Sequence, residues 1–233
     1  VDGLVHRTAP SPNWNERLRR VSMVVLHYTG MRTAAEALER LCDPEAEVSC
    51  HYLIDEDGTV VRLVDEDKRA WHAGRSSWRG ETDVNSASIG IELVNPGHEF
   101  GYCAFPRAQM EALVPLLADI VRRHDIPRAN VVGHSDIAVA RKLDPGELFD
   151  WDLLARYRLA LARPEVTLGN PFPNDGAFFL ALERFGYDIT DPTAAVRAFQ
   201  RRWRLERIDG EVDGQIGAIL FALLLDRDRG NTR

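Results

Sequence analysis

Apolar residues along this chain fall into short blocks broken at regular intervals. Val21–Leu26 is a β-branched apolar run that stops abruptly at His27-Tyr28-Thr29-Gly30, the pattern of a buried strand opening into a loop. Thr33–Leu41 has helical spacing, with Leu38 and Leu41 on one side. His51–Ile54 and Val60–Val64 flank an Asp57-Gly58 turn and predict a hairpin. Ser88–Val94 reads as a second buried strand, and Val131–Gly133 as a short strand running into His134. Arg107–His124 is an amphipathic helix, with Met110, Leu113, Leu117, Ile120 and Val121 on one face. Trp151–Leu161 reads as a further helix. Strands interleaved with helices predict an α/β domain over residues 1–163. Residues 164–174, with Pro171 and Pro173, read as a linker. Three helical segments follow, Ala177–Arg184, Pro192–Trp203 and Gln215–Leu225, and predict a small three-helix domain over residues 175–233.

Composition narrows the functional classes. The 233 residues fit one medium and one small domain. A net charge of −7 with no basic run argues against nucleic-acid binding, which draws its affinity from phosphate neutralisation. No apolar run approaches the ~20 residues that span a bilayer. Val1–Arg20 is polar and proline-punctuated, so no secretory leader is read there, although the chain begins with Val rather than Met. Cys42, Cys50 and Cys103 form no CxxC pair and read as reduced thiols. Of 29 basic residues only Lys68 and Lys142 are lysine. A monomer is the default expectation.

The candidate chemistry lies at strand ends. His27 and His134 each follow a buried strand, and Asp144 lies ten residues beyond His134 in the Pro/Gly-fixed turn Asp144-Pro145-Gly146. Two imidazoles and a carboxylate are three of the four groups of a catalytic zinc site, water being the fourth. Spacing alone is weak evidence, because a lone histidine near a strand end is more often a hydrogen-bonded structural residue. HExxH is absent, which removes the common metalloprotease pattern. Along Ser88–Val94, Ile89, Ile91 and Leu93 share one face, so Glu92 points to the other, beside the small Gly90. A carboxylate on such a strand is either paired in a salt bridge or functional.

Six blocks occur in order: Val25-Leu26-His27-Tyr28-Thr29, Ser49-Cys50-His51-Tyr52-Leu53-Ile54, Ala70-Trp71-His72-Ala73-Gly74, Asn85–Glu92, Gly133–Ala138 and Arg141–Gly146. Together they resemble the AmpD/AmiD-type N-acetylmuramoyl-L-alanine amidases, the type 2 amidases related to peptidoglycan recognition proteins, from about Trp14 to Phe149. Ala198-Phe199-Gln200 and Asp209–Gly217 resemble the small peptidoglycan-binding module of the AmiD branch. The resemblance implies a mixed central sheet flanked by helices. It also implies Zn2+ held by His27, His134 and Asp144, with Glu92 and Lys142 catalytic. Its substrate is peptidoglycan or a muropeptide, cut between N-acetylmuramic acid and L-alanine. It suggests substrate contacts at Trp71, His72 and Ala73, and Asn85, just before the Glu92 strand, is placed to hydrogen-bond substrate amides. Where some relatives carry a tyrosine before the histidine matching His51, this chain has Cys50.

The alternative is a non-catalytic peptidoglycan-binding protein of the recognition type, which predicts a broken ligand set. A wall-binding tail points to the periplasm, whereas unpaired thiols and the missing leader fit the cytoplasm.

Overall fold

The computed structural model describes residues 3–230, with side chains described to residue 226. Its strands are β1 (Arg7–Thr8), β2 (Trp14–Glu16), β3 (Met23–Tyr28), β4 (Tyr52–Ile54), β5 (Val60–Arg62), β6 (Lys68–Ala70), β7 (Ser88–Leu93) and β8 (Val131–Gly133). Helices are α1 (Ala34–Cys42), α2 (Val84–Ala87), α3 (Gly97–Phe100), α4 (Arg107–His124), α5 (His134–Ile137), α6 (Trp151–Arg156), α7 (Asp175–Phe185), α8 (Pro192–Trp203) and α9 (Gly214–Gly230).

Six strands form one mixed sheet in the order β1-β5-β4-β7-β3-β8, and β2 pairs with β6 apart from it. β4 and β5 are antiparallel, as the Asp57-Gly58 turn requires, while β3 is parallel to both β7 and β8. The period of two sorts the residues of β3. Val24 and Leu26 join Ile89, Ile91 and Leu93 on one face, under Leu113, Leu116, Leu117 and Ile120 of α4. Met23, Val25 and Val132 face the other way, into an apolar cluster that continues through Phe178, Leu182, Phe199 and Trp203. The C-terminal helices therefore share one apolar core with this face of the sheet, and α8 packs against α5. Each fully buried side chain of this size contributes roughly 1.5–3 kcal/mol.

Helix ends follow local chemistry. Thr33, Asn174 and Asp191 cap α1, α7 and α8 by accepting backbone N–H bonds, and Pro192 occupies the first turn of α8. The helix predicted over Trp151–Leu161 stops at Arg156. Arg158 takes a left-handed backbone (φ 60) that reverses the chain, while Leu159, Ala160 and Leu161 stay buried. The apolar signal there marked burial rather than helix. Residues 157–174 contain no helix or strand.

Candidate active site

Parallel pairing sets the site. In the β3–β7 register His27 lies opposite Glu92, so both side chains project from the same face at the carboxyl ends of neighbouring strands. Leu26 lies opposite Gly133, which places His134 one residue beyond the end of β8. Asp144 reaches the pair because its turn lies against β8. A Cβ at Gly133 would come within 2.7 Å of Pro145 Cδ, so only glycine admits this approach. The Ser135 N–H donates to the Asp144 carbonyl at 2.8 Å and fixes it.

The result is a buried triangle. His27 Nδ1, His134 Nδ1 and Asp144 Oδ2 lie 3.0 Å from one another on all three sides. Three atoms about 2.0–2.1 Å from one tetrahedral ion sit about 3.3 Å apart, so the triangle fits a small cation such as zinc. Burial and the neighbouring His134 lower the His27 pKa to about 4. Burial alone would raise Asp144, but His134 and His27 outweigh it and hold the carboxyl well below its usual range. At neutral pH His27 is therefore a neutral imidazole and Asp144 an anion, the protonation states a metal ligand requires.

Both histidines are oriented from behind. The His134 Nε2–H donates to the Ala73 carbonyl at 3.0 Å, which leaves Nδ1 free to coordinate. The His27 Nε2–H donates to His72 Nδ1 at 3.0 Å; His72 Nε2–H donates to Ser88 Oγ at 3.2 Å, and Ser88 passes its own O–H to the Val84 carbonyl. Every proton in this chain has one place to go, and it terminates on a backbone acceptor. Burial, then the neighbouring histidines, push the His72 pKa well down, so its ring is neutral and can accept from His27. Asn85 Oδ1 accepts from the backbone N–H groups of His72 (3.0 Å) and Ala73 (2.7 Å), locking the segment that supplies both outer partners.

Comparison with known proteins agrees with this geometry. Residues 17–147 match the model of the family described as N-acetylmuramoyl-L-alanine amidase. The chain is 38% identical to N-acetylmuramoyl-L-alanine amidase AmiD of Escherichia coli (strain K12), with 88% of this chain and 83% of that protein covered. The chain belongs to the N-acetylmuramoyl-L-alanine amidase family. Another relative, 1,6-anhydro-N-acetylmuramyl-L-alanine amidase AmpD of Citrobacter freundii, is 44% identical over 50% of this chain and 58% of that protein. In three dimensions the amidase is similar to the E. coli AmiD complex with anhydro-N-acetylmuramic acid-L-Ala-D-gamma-Glu-L-Lys (TM-score 0.80, 35% identity, 89% and 90% covered). It is likewise similar to AmpDh3 from Pseudomonas aeruginosa (TM-score 0.81, 32% identity, 90% and 93% covered). Its reaction is hydrolysis of the amide between N-acetylmuramic acid and L-alanine.

Around the triangle the amidase opens a cleft of about 440 Å³, whose walls include Tyr28, Trp71, Glu92, Arg141 and Lys142. Glu92 Oε2 is buried and has no hydrogen bond among the described residues. Burial, then the charge of Asp144, push its pKa well above the usual carboxylate value, with Lys142 pulling the other way. Lys142 is half-buried, and its ammonium has no carboxylate partner among the described residues. Of the residues suggested as substrate contacts, Trp71 and His72 line the cleft. Trp71 Nε1 is held by Asn15 Oδ1 at 2.8 Å. Ala73 presents its carbonyl to His134 and Arg141, and Asn85 lies behind the loop. His51 is fully buried; its Nδ1 accepts from the Gly90 N–H at 2.9 Å. Cys50 is buried beside Glu92, which, with burial as the main cause, raises its thiol pKa and keeps it inert.

Sequence reasoning left the outer partners of His27 and His134 unnamed. The signal was present in Trp71-His72-Ala73-Gly74, but the pairing needs the third dimension: His72 is 45 residues from His27, and Ala73 is 61 from His134.

Proposed function

We propose that the bound metal is zinc, held by His27, His134 and Asp144, and that Glu92 and Lys142 perform the chemistry of amide hydrolysis. Zinc at such a site supplies Lewis acidity, polarising a carbonyl and acidifying water. Glu92 takes the proton of the attacking water and returns it to the L-alanine nitrogen as the carbon–nitrogen bond breaks. The Lys142 ammonium faces the carbonyl oxygen as it gains negative charge. The observation that carries this reading is the coincidence, in one cleft, of three ligand atoms 3.0 Å apart with a carboxylate whose buried Oε2 has no hydrogen-bond partner among the described residues.

An anhydro-muropeptide of the kind bound by E. coli AmiD is a substrate on this reading, and the C-terminal helices retain the enzyme on the wall. The site of action is the periplasm. Digests of anhydro-muropeptide analysed by mass spectrometry test the proposal. Free stem peptide is expected from the zinc-loaded protein, none after exhaustive chelation, and recovery when zinc is returned. Full turnover by the chelated protein would overturn it. So would zinc-loaded protein that binds wall without releasing peptide, the behaviour of a recognition protein.

A further inference from the structure

The C-terminal helices do more in this fold than sit beside the catalytic part. Asp136 lies two residues beyond His134 and is buried. Its Oδ2 accepts the Gly133 N–H at 2.8 Å and so closes the turn on which His134 is mounted. Its Oδ1 accepts the Tyr187 O–H at 2.6 Å, and the Trp203 indole N–H donates in turn to Tyr187 at 3.2 Å. From α8, Arg202 brings Nη1 to 3.5 Å from Asp136 Oδ2 and stacks its guanidinium 3.0 Å above the Trp151 ring centre.

Arg202 is a poor choice for stability alone. Its side chain is 4% exposed, and its Nε and Nη1 find no hydrogen bond among the described residues. Such a buried charge is destabilising unless it faces its counter-charge in one arrangement, so it specifies register more than it adds stability. A second tie reaches the segment that supplies the Ala73 carbonyl. The Arg79 N–H donates to the Gly186 carbonyl at 3.0 Å, and Trp78 packs edge-on against Phe185 and Tyr187. A Cβ at Gly186 would come within 2.7 Å of Arg79 Cγ, so the approach depends on glycine there.

From this geometry we propose that Tyr187 and Arg202 are positioning residues of the metal centre. Acting through Asp136 and the Gly133 N–H, they hold the His134 imidazole in coordinating position, so the C-terminal helices set metal affinity as well as any wall contact. The inference rests on the zinc reading above.

Full-length Tyr187→Phe and Arg202→Met proteins test it. The readouts are zinc affinity by chelator competition, the visible spectrum of the cobalt-substituted protein, the melting temperature of the apo protein and pelleting with purified wall. About three- to tenfold weaker zinc binding and a changed cobalt spectrum are expected in both, with pelleting unaltered; partners one bond nearer the metal change affinity 10–100-fold. Tyr187→Phe keeps the ring and its packing, so it remains informative if Arg202→Met fails to fold. A lowered apo melting temperature with zinc affinity within twofold of wild type and an unchanged spectrum would make these contacts structural only and overturn the inference. Failure of the wild-type protein itself to bind zinc would instead overturn the functional reading beneath it.

Discussion

Replacing Gly90 by alanine perturbs the metal site without touching a ligand. Gly90 lies on β7, on the face that carries Glu92, with the His72 ring directly against it. An added Cβ would fall 2.5 Å from His72 Cδ2 and 2.7 Å from Nδ1, and closer still to Cγ. Carbon atoms in contact normally stand about 3.5–4.0 Å apart, so something must move by about 1 Å. The strand has little freedom to do so. The Gly90 N–H donates to His51 Nδ1 at 2.9 Å, its carbonyl accepts the His51 N–H at 3.0 Å, and it is in register with Val25. The ring therefore gives way. A shift of about 1 Å takes the 3.0 Å contact with His27 to about 4 Å, beyond any hydrogen bond.

Two effects follow, and they can be read separately. Overpacking destabilises the apo protein by about 1–3 kcal/mol. Loss of the group that orients His27 weakens metal binding about 10–100-fold, or about 1.4–2.7 kcal/mol. Chelator competition measures the second, and thermal unfolding of the metal-free protein the first. The origin of the effect is tested by a double-mutant cycle. In a His72→Ala background the methyl has room, so Gly90→Ala should add almost nothing, giving a large coupling energy. Wild-type zinc affinity in a folded Gly90→Ala protein would refute the argument, as would simple additivity in the cycle.

Three further outcomes are expected. Glu92→Gln should lower turnover about 10²–10⁴-fold while zinc content is retained, and its melting temperature should hold or rise, because a carboxylate with one buried oxygen lacking a hydrogen-bond partner among the described residues is replaced by a neutral amide. Lys142→Arg should lose about 10²–10³ in turnover despite keeping the charge, since a planar guanidinium cannot take the position of a compact ammonium; near-wild-type rates would reject that role. Glu66 accepts from Arg123, His124 and Tyr52; these bonds outweigh burial, which acts upward, and hold its pKa at about 2 against an ordinary 4.5. Its stabilisation is therefore complete above pH 4.5 and lost as pH falls toward 2. Urea unfolding should show about 2 kcal/mol of acid-labile stability that Glu66→Gln lacks.

What the sequence revealed depended on how local the signal was. α4 and α8 were legible to the residue, because amphipathic spacing and, for α8, Asp191-Pro192 at its start lie within the helix itself. β3 and β7 were legible as apolar runs, because strands covered on both faces have little polar alternation. β1, β2 and β6 were not foreseen. They are two or three residues long, mostly polar, and lie at edges or in a separate ribbon, so their partners create them rather than their own pattern. The same distinction divides the site. The three clustered residues His27, His134 and Asp144 were recognisable from motif blocks, and the face of Glu92 from the alternation of Ser88–Val94. The role of His72 behind His27 and the tie from Tyr187 to Asp136 depend on contacts 45 and 51 residues apart, which leave no periodic trace.

The two lysines carry the remaining argument about Glu92. Lys68 pairs with Glu16 at 3.0 Å and lies 5.3 Å from the Trp14 ring centre, a partly exposed arrangement that arginine could make equally well. Lys142 sits in the cleft with no carboxylate partner among the described residues, and Glu92 shares that cleft with its Oε2 equally unpartnered. A structural salt bridge is the ordinary reason to place a carboxylate on an apolar strand beside a lysine. That reason requires the two to satisfy each other, and here neither does so. Burying the Glu92 Oε2 without a hydrogen-bond partner lowers the stability of the free protein. On the proposed function the missing partners arrive with the substrate: a water proton for Glu92 and a developing oxyanion for Lys142. Groups already fixed in position need no reorganisation at that moment, which is the condition under which a cleft binds the transition state more tightly than the ground state.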